Sequence, residues 1–305
     1  MTSADRAAEP CTAPGRAAAA PAARPRRRRS LLRGLVLASL GVLAGVYLFP
    51  FAWMVSTSLK PTRELYLQPP SLWPLHPTLD AYAAALVGAG DWVLLRNSVI
   101  VCLATVAATL AMALLIAYPL TRLGVPPRFR RGLLSWLLSL RFLPSIVVVI
   151  PIFATVRTVG LYDQLPALVL IYTAFSLPFA VWMLKGFLQE VPQEVEEAAL
   201  VDGAGRWRAF FRIVLPMISP GLLAAGVITF ALAWSEFLYA LILTATPRSQ
   251  TFSIGVWSFV TEFEIIWNQM AAVGVVSALV PIVLLLGARR YVISALTFGA
   301  VREKA

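Results

Sequence analysis

Residues 196–216 read EEAALVDGAGRWRAFFRIVLP, a charged segment that separates two strongly apolar runs of the chain. A simple turn between two membrane spans needs only a few polar residues, and this segment is too long and too regular for that. Its apolar residues fall near helical spacing, with glutamates between them. Pro192, just upstream, suits a first helical turn, where its missing N–H costs little. The pattern predicts a helix that begins close to residue 190.

Two glycines end this predicted helix. Gly203 and Gly205 permit a sharp turn because glycine adopts backbone conformations that other residues avoid. A second short amphipathic stretch, residues 207–213, then leads to Pro216 and the next apolar run. We therefore predict a helix–turn–helix over residues 189–215, lying at a membrane face and suited to docking a soluble partner.

The composition indicates an all-α polytopic membrane protein. Of the 305 residues, 59% are hydrophobic and 13% are charged, whereas soluble domains carry about 25% charged residues. A helical span needs about 20 apolar residues. We predict six spans, with kinks at interior prolines such as Pro144, Pro151, Pro178 and Pro281. The spans are placed near Leu31–Leu59, Trp92–Leu120, Leu133–Val156, Leu165–Leu188, Met217–Thr244 and Met270–Ala288.

Basic residues predict the orientation and the tails. The net charge is +11, and twenty of the 26 Lys and Arg side chains lie in the two ends or in the predicted loops at 122–131 and 185–212. Such an excess marks the cytoplasmic side of a membrane. We expect both termini in the cytoplasm, a disordered basic tail at 1–29, a six-span domain at 30–295 and a cytoplasmic tail at 296–305. The same distribution argues against nucleic-acid binding.

The sequence offers little for catalysis or metal binding. Its two cysteines, Cys11 and Cys102, cannot form a disulfide framework, and the single histidine, His76, lies in a polar loop. A membrane-embedded hydrolase or transferase needs a convergent set of acid, base and nucleophile. A secondary transporter often shows inverted repeats, and none is evident here. We expect a protein that is not an enzyme and that binds no metal or cofactor.

The quoted segment resembles the EAA loop of bacterial ABC importer permeases. That pattern is Glu-Ala-Ala, three residues, Gly, nine residues, Ile, one residue and Leu-Pro. This chain matches it at every spacer, through Glu197-Ala198-Ala199, Gly203, Ile213 and Leu215-Pro216. Because the whole spaced pattern precedes the penultimate predicted span, the resemblance is much more specific than a lone triplet.

The resemblance extends over roughly residues 45–303. RNSVIV at 96–101, AYPLTRL at 117–123 and PIFATVRTVGLYDQ at 151–164 are similar to the maltose-type branch of carbohydrate-uptake permeases. The ending RRYVISALTFGAVR at 289–302 is similar to the G-type permease of that branch, usually one half of a heterodimer. The resemblance implies a bacterial cytoplasmic (inner) membrane protein that imports a sugar or oligosaccharide.

The resemblance also implies partners and docking residues. ATP would be used by separate ABC ATPase subunits, while a second homologous permease completes the membrane part and an extracytoplasmic solute-binding protein delivers the sugar. The docking residues would be Glu197, Ala198, Ala199, Asp202 and Gly203, with Ile213, Leu215 and Pro216 supporting the loop. The chain itself lacks a phosphate-binding loop, because none of its three lysines follows a glycine.

Three polar or aromatic residues in predicted spans are candidates for a translocation pathway: Arg141, Trp234 and Glu236. A charge at membrane depth usually faces an interior or a cavity, and aromatic and carboxylate groups together suit sugars. An ion pair or a snorkelling position explains Arg141 equally well, and an interfacial aromatic belt is favoured for Tyr239. Asn97 is expected to make a structural hydrogen bond. Arg141 also leaves open another solute, such as glycerol 3-phosphate.

Overall fold

The computed structural model describes residues 26–88, 90–260 and 265–300, with side chains from Arg33 to Arg290 within those ranges. The chain divides into two units, residues 1–50 and 51–305. In the first, the described residues belong to helix α1, which begins at Arg26 and ends at Ser58 in the second unit. The regular secondary structure of the described residues is helical, apart from one isolated β-bridge, Val260–Ile265.

The helices alternate between long apolar elements and short connecting ones. After α1 they are, in chain order, α2 Thr62–Leu65, α3 Asp80–Ala83, α4 Asp91–Arg122, α5 Pro127–Ser139, α6 Ser145–Thr158, α7 Leu165–Glu190, α8 Gln193–Val201, α9 Arg206–Ala209, α10 Leu215–Met217, α11 Ser219–Trp234, α12 Leu238–Leu243, α13 Phe252–Ser258 and α14 Trp267–Ala300. Single π-helical turns follow α3 and α9, at Ala84–Gly88 and Phe210–Val214.

By length and composition, four helices could each cross a membrane as one unbroken element. Their apolar parts are Arg33–Ser58, Asp91–Arg122, Leu165–Glu190 and Trp267–Arg290. Two further pairs pass the same criteria only when taken together, Pro127–Phe142 with Ser145–Thr158 and Arg206–Met217 with Ser219–Trp234. The described residues therefore contain four candidate spans, or six if each bent pair is one span, as the prediction of six spans requires.

The third predicted span, Leu133–Val156, is not one kinked helix. A 3-10 turn at Leu140–Phe142 ends α5, and α6 begins at Ser145 after a bend of 97°. Proline disfavours a helical conformation in the residue before it, and Leu143 is extended with ψ 118°. Pro144 therefore separates two helices instead of kinking one. This break places Arg141 in a turn rather than inside a continuous helix.

The fifth predicted span, Met217–Thr244, is interrupted twice. The first bend, of 72°, lies at Ile218 between α10 and α11. The second interruption is the non-helical segment Ser235–Phe237 between α11 and α12. Irregular backbone at membrane depth leaves polar groups that must be satisfied by protein or by a water-filled cavity. The second interruption therefore marks a place where a cavity is expected.

The second unit is built around α4 and α7, which pack along each other, with α11 against both. Towards one end, Ala113 and Ala117 of α4 meet Leu184 and Leu188 of α7 and Val214 of the π-helical turn. Small residues on α4 allow this close approach. A second cluster forms at the other end, around Val101, Leu168, Tyr172, Phe230 and Tyr239. The two clusters fix the positions of the two candidate sites.

The predicted tails fall largely outside the described residues. The tail at 1–29 is described only at Arg26–Arg29, and these four residues belong to α1. At the other end α14 continues to Ala300, beyond the boundary predicted at residue 295. Residues 301–305 lie outside the described part, as do residues 261–264.

Candidate functional site

The segment quoted at the outset forms α8, a tight turn and α9. Pro192 is the residue that precedes α8, with φ −58° and ψ 137°, one position before the first helical turn in which it was predicted. Gly203 has φ +82°. Its N–H donates to the Leu200 carbonyl at 3.1 Å, and the N–H of Ala204 donates to the Ala199 carbonyl at 2.9 Å. This is a Schellman turn, which requires a left-handed residue at the position of Gly203.

Four of the five predicted docking residues are exposed on one short surface. Glu197, Ala198, Asp202 and Gly203 are exposed, while Ala199 is buried with 8% of its surface accessible. Val201 is 87% exposed at the end of α8. An exposed apolar side chain beside small and acidic residues is a surface suited to a protein partner.

The neighbouring residue Glu196 points the other way and is 7% exposed. Its Oε2 atom lies 3.2 Å from Nε of Arg122. The Tyr118 hydroxyl contacts the other carboxylate oxygen at hydrogen-bond distance. Both partners belong to the last turns of α4, so the ion pair attaches α8 to the end of that helix.

Arg122 also reaches the end of α7. Its Nη2 atom donates to the Leu188 carbonyl at 3.0 Å and to the Val191 carbonyl at 2.7 Å. The last carbonyls of a helix lack intrahelical partners, and a cation there is favourable. One guanidinium therefore joins the ends of α4 and α7 to α8.

Glu196, Arg122 and Tyr118 were not predicted as site residues from the sequence. Consecutive helical residues project about 100° apart, because a turn takes 3.6 residues. Of two adjacent glutamates on a surface helix, one can therefore be buried while the other is exposed. The pair Glu196-Glu197 carried that signal, but nothing in the sequence identified the basic partner 74 positions upstream.

The predicted supporting residues lie in and after the π-helical turn. Ile213 and Leu215 are half-buried, and Leu215 packs against the cluster between α4 and α7. Pro216 is exposed in α10, directly before the 72° bend. These positions connect the turn after α8 to the start of α11.

The second candidate site is a cavity of about 250 Å³. Arg141 and Glu236 both line it, together with Tyr172, Phe175 and Tyr239. Arg141 comes from the break before α6 and Glu236 from the break between α11 and α12. The structure thus brings together two charged residues that are 95 positions apart in the sequence.

Trp234, the third pathway candidate, contacts another helix, and Tyr239 does not lie in the aromatic belt in which it was expected. The Trp234 indole donates from Nε1 to the Ser277 carbonyl of α14 at 3.1 Å and stacks on Phe230. It is not among the residues that line the cavity. Tyr239 was expected in an interfacial belt, but it is only 3% exposed and stacks on Phe175, with ring centroids 5.1 Å apart. The belt assignment is therefore wrong, because α12 turns this residue into the second cluster.

Polar anchors hold the loop between α12 and α13. The Asn97 side chain donates to the carbonyls of Pro247, Arg248 and Gln250 at 3.0–3.2 Å, which confirms its structural role. Asp163 accepts from the backbone N–H groups of Ala245 and Thr246 and from the hydroxyls of Thr246 and Ser249. Burial alone would raise the pKa of the Asp163 carboxyl, but these hydrogen bonds lower it well below its ordinary value.

Among the described residues, no group of His, Cys, Asp and Glu has an arrangement that could hold a metal ion. His76 is exposed in the loop between α2 and α3. Glu64, in α2, organises that loop by accepting from the backbone N–H of Leu75 at 2.6 Å and from the Ser71 hydroxyl at 3.1 Å.

Comparison with known proteins identifies the family. Residues 110–297 match the family described as "Binding-protein-dependent transport system inner membrane component". The chain is 34% identical over 255 residues to the sulfoquinovosyl glycerol transport system permease protein SmoH of Agrobacterium fabrum, covering 84% of this chain and 89% of that protein. It is 34% identical over 263 residues to the trehalose transport system permease protein SugB of Mycobacterium tuberculosis, covering 86% and 94%.

One solved structure shows the same fold. A chain of a bacterial ABC transporter involved in the import of the acidic polysaccharide alginate superposes with a TM-score of 0.73 at 18% identity. The superposition covers 88% of this chain and 98% of that chain. With the family match and the apolar helices, these findings establish that the chain is a membrane protein that belongs to the binding-protein-dependent ABC transporter permeases, a transport component and not an enzyme.

Proposed function

We propose that this chain is the permease subunit of an ATP-driven importer for a sugar or oligosaccharide, and that α8 docks a separate ATPase. The sugar class follows from the relatives, whose names include permeases for sulfoquinovosyl glycerol, trehalose and diacetylchitobiose. A second homologous permease and an extracytoplasmic solute-binding protein would complete the importer. The chain would sit in a bacterial inner membrane with both termini in the cytoplasm, in line with the distribution of Lys and Arg.

The single observation that carries the docking proposal is the opposite placement of Glu196 and Glu197. Glu197, Ala198, Asp202 and Gly203 present an exposed surface, and Val201 adds an exposed apolar side chain. Such a surface transmits force only if the helix that bears it is held firmly. The buried ion pair of Glu196 with Arg122 supplies that attachment.

Transmission would run from α8 into the spans through Arg122. A displacement of α8 would move Glu196 and, through the ion pair, Arg122. Because Arg122 belongs to α4 and is bonded to the carbonyls that end α7, both helices would be displaced. Because α4 and α7 pack along each other, they would move as one body. ATP-driven closure of the ATPases could in this way rock the spans that bound the pathway. The pathway residues we propose are Arg141 and Glu236; Trp234 instead has a structural contact with α14.

Affinity purification from native cells tests the proposal. Tagged wild-type protein, extracted in mild detergent, is expected to bring with it a homologous permease and a P-loop ATPase. The Gly203→Asp variant should reach the membrane but lose the ATPase, because its left-handed turn is strained and the docking surface gains a charge. Gly205→Ala is the matched control, since Gly205 has φ −66° and no neighbouring atom within 4 Å of an added Cβ.

Two outcomes would contradict the docking proposal. One is full recovery of the ATPase with the Gly203→Asp variant at wild-type protein levels. The other is a chain that purifies alone and transports solute after reconstitution without ATP, which would point to a secondary transporter.

A further inference from the structure

Arg141 brings a positive charge to a cavity in an apolar helical bundle. Its Nη1 atom is 3.4 Å from the Phe175 carbonyl, and its guanidinium carbon is 5.9 Å from the centre of the Phe179 ring. Among the described residues, Arg141 has no carboxylate at ion-pair distance. The Arg141 side chain is exposed where it lines the cavity, so its guanidinium is accessible to a solute. Within the described part of the chain, most of the donor capacity of this guanidinium is unused.

The Glu236 carboxylate, which lines the same cavity, already accepts hydrogen bonds from the backbone. Glu236 accepts from the backbone N–H of Tyr239 at 3.0 Å and from that of Ala240 at 3.2 Å. These are the unpaired donors of the first turn of α12, where the helix dipole also favours a negative charge. The charge of Glu236 is therefore balanced locally, and it does not pair with Arg141.

Two buried hydroxyls on the cavity wall add further unused hydrogen-bonding capacity. Tyr172 and Tyr239 are each 3% exposed, and neither hydroxyl has a hydrogen-bond partner among the described residues. The Tyr172 hydroxyl lies towards Glu236 and the Tyr239 hydroxyl towards Ser145, without reaching hydrogen-bond geometry. A buried polar group without a partner costs about 1–3 kcal/mol. Such groups are retained where a ligand or water satisfies them.

The N-terminal end of α6 also lies at the cavity. Ser145 is the first residue of this 14-residue helix and lines the cavity. The positive end of the helix dipole therefore faces the space that Arg141 and the tyrosine hydroxyls surround. Arg141 and the start of α6 are the two positively polarised features of the cavity, and Glu236 is the negatively charged residue in its lining.

We propose that this cavity binds the acidic group of an anionic saccharide, such as a uronate, with Arg141 as the residue that selects for the charge. The guanidinium would hold the carboxylate, Tyr172 and Tyr239 would bond to neighbouring oxygens, and Phe175 would contact an apolar face of the sugar ring. This inference rests on the proposed import function, because it names the solute class for the pathway assigned to Arg141 and Glu236.

Direct binding to the intact importer tests the inference. The assembly, purified with its partner subunits, is placed in nanodiscs of phosphatidylcholine, so that anionic lipid supplies no competing group. Sodium glucuronate, glucose and glycerol 3-phosphate are titrated separately, and binding is followed by saturation-transfer NMR. The wild-type assembly should bind glucuronate at least tenfold more tightly than glucose.

Variants separate the role of Arg141 from a general effect of charge. Arg141→Gln should reduce the affinity for glucuronate at least tenfold and leave that for glucose unchanged, and Tyr172→Phe should reduce it severalfold. Arg157→Gln is the control, because it removes an exposed positive charge from the last turn of α6, the helix that follows the break bearing Arg141. It should leave both affinities unchanged.

The outcomes distinguish this inference from the proposed function. ATPase content is measured on the same nanodiscs. If samples retain the ATPase, the inference alone is overturned by equal binding of glucuronate and glucose, or by an Arg141→Gln variant that binds glucuronate as tightly as the wild type. Binding of glycerol 3-phosphate without glucuronate overturns the saccharide assignment. Loss of the ATPase from wild-type samples would contradict the proposed function instead.

Discussion

The Glu196 carboxylate lies 3.2 Å from the Arg122 guanidinium, with only 8% and 6% of the two side chains exposed. The pair spans 74 positions of sequence and connects the helix proposed to dock the ATPase to the end of a membrane-spanning helix. A buried ion pair adds little net stability by itself, but removing one partner leaves an uncompensated charge. We therefore expect a single substitution of either Glu196 or Arg122 to lower the stability of the fold.

Glu196 and Glu197 provide a matched pair of variants. Glu196→Gln leaves Arg122 buried without its counterion, so we expect a loss of about 3 kcal/mol in the apparent free energy of unfolding. Glu197→Gln changes an exposed group and should alter that free energy by less than about 0.5 kcal/mol, while weakening ATPase binding. Thermal unfolding in detergent and ATPase co-purification measure the two effects. Equal unfolding temperatures for both variants would contradict the assignment of the buried glutamate.

Arg122 should not be replaceable by lysine. Lysine keeps the positive charge but lacks the planar fork that contacts Glu196 and two carbonyls at once. We expect Arg122→Lys to lose part of the stability that Arg122→Gln loses in full, with transport reduced more than the amount of protein in the membrane. Uptake normalised to membrane protein provides the measurement, and a fully active lysine variant would show that the two carbonyl contacts are dispensable.

The turn after α8 depends on the conformation of Gly203. A non-glycine residue in the left-handed region costs about 1–2 kcal/mol. Gly203→Ala meets no atom within 4 Å, so this conformational cost is the main expected effect. Gly205→Ala, at φ −66°, should have almost none. ATPase affinity of the two variants, measured side by side, should fall only for Gly203→Ala.

The Asp163 anchor should persist in mild acid. Its folded-state pKa is lowered, so the stabilisation is present above the unfolded value, near 3.9, and is lost only as the pH falls below it towards the folded value. Hydrogen exchange in residues 244–250 should therefore be unchanged between pH 8 and pH 5, once the intrinsic dependence of exchange on pH is corrected for. Asp163→Asn should speed exchange throughout that range, whereas Asp80→Asn, an exposed control, should not.

The sequence by itself determined the class of the protein and the position of the segment at 189–215. Long apolar runs have few stable alternatives to membrane helices, because every backbone polar group in a bilayer must be paired within the segment. The spaced pattern from Glu197 to Pro216 is local, and local turn chemistry explains why Gly203 was predicted correctly as the end of the helix.

Only the tertiary structure decided which side chains meet. The burial of Glu196 beside Arg122, and the shared cavity of Arg141 and Glu236, depend on how α4, α7 and α11 pack, and no local pattern encodes contacts between residues 74 or 95 positions apart. The helix breaks at Pro144 and Ser235 were likewise decided by the tertiary structure and not by the local sequence. A hydropathy profile identifies an apolar run. Whether that run forms one helix or two depends on whether neighbouring residues can hydrogen-bond to the backbone groups that a break leaves unpaired.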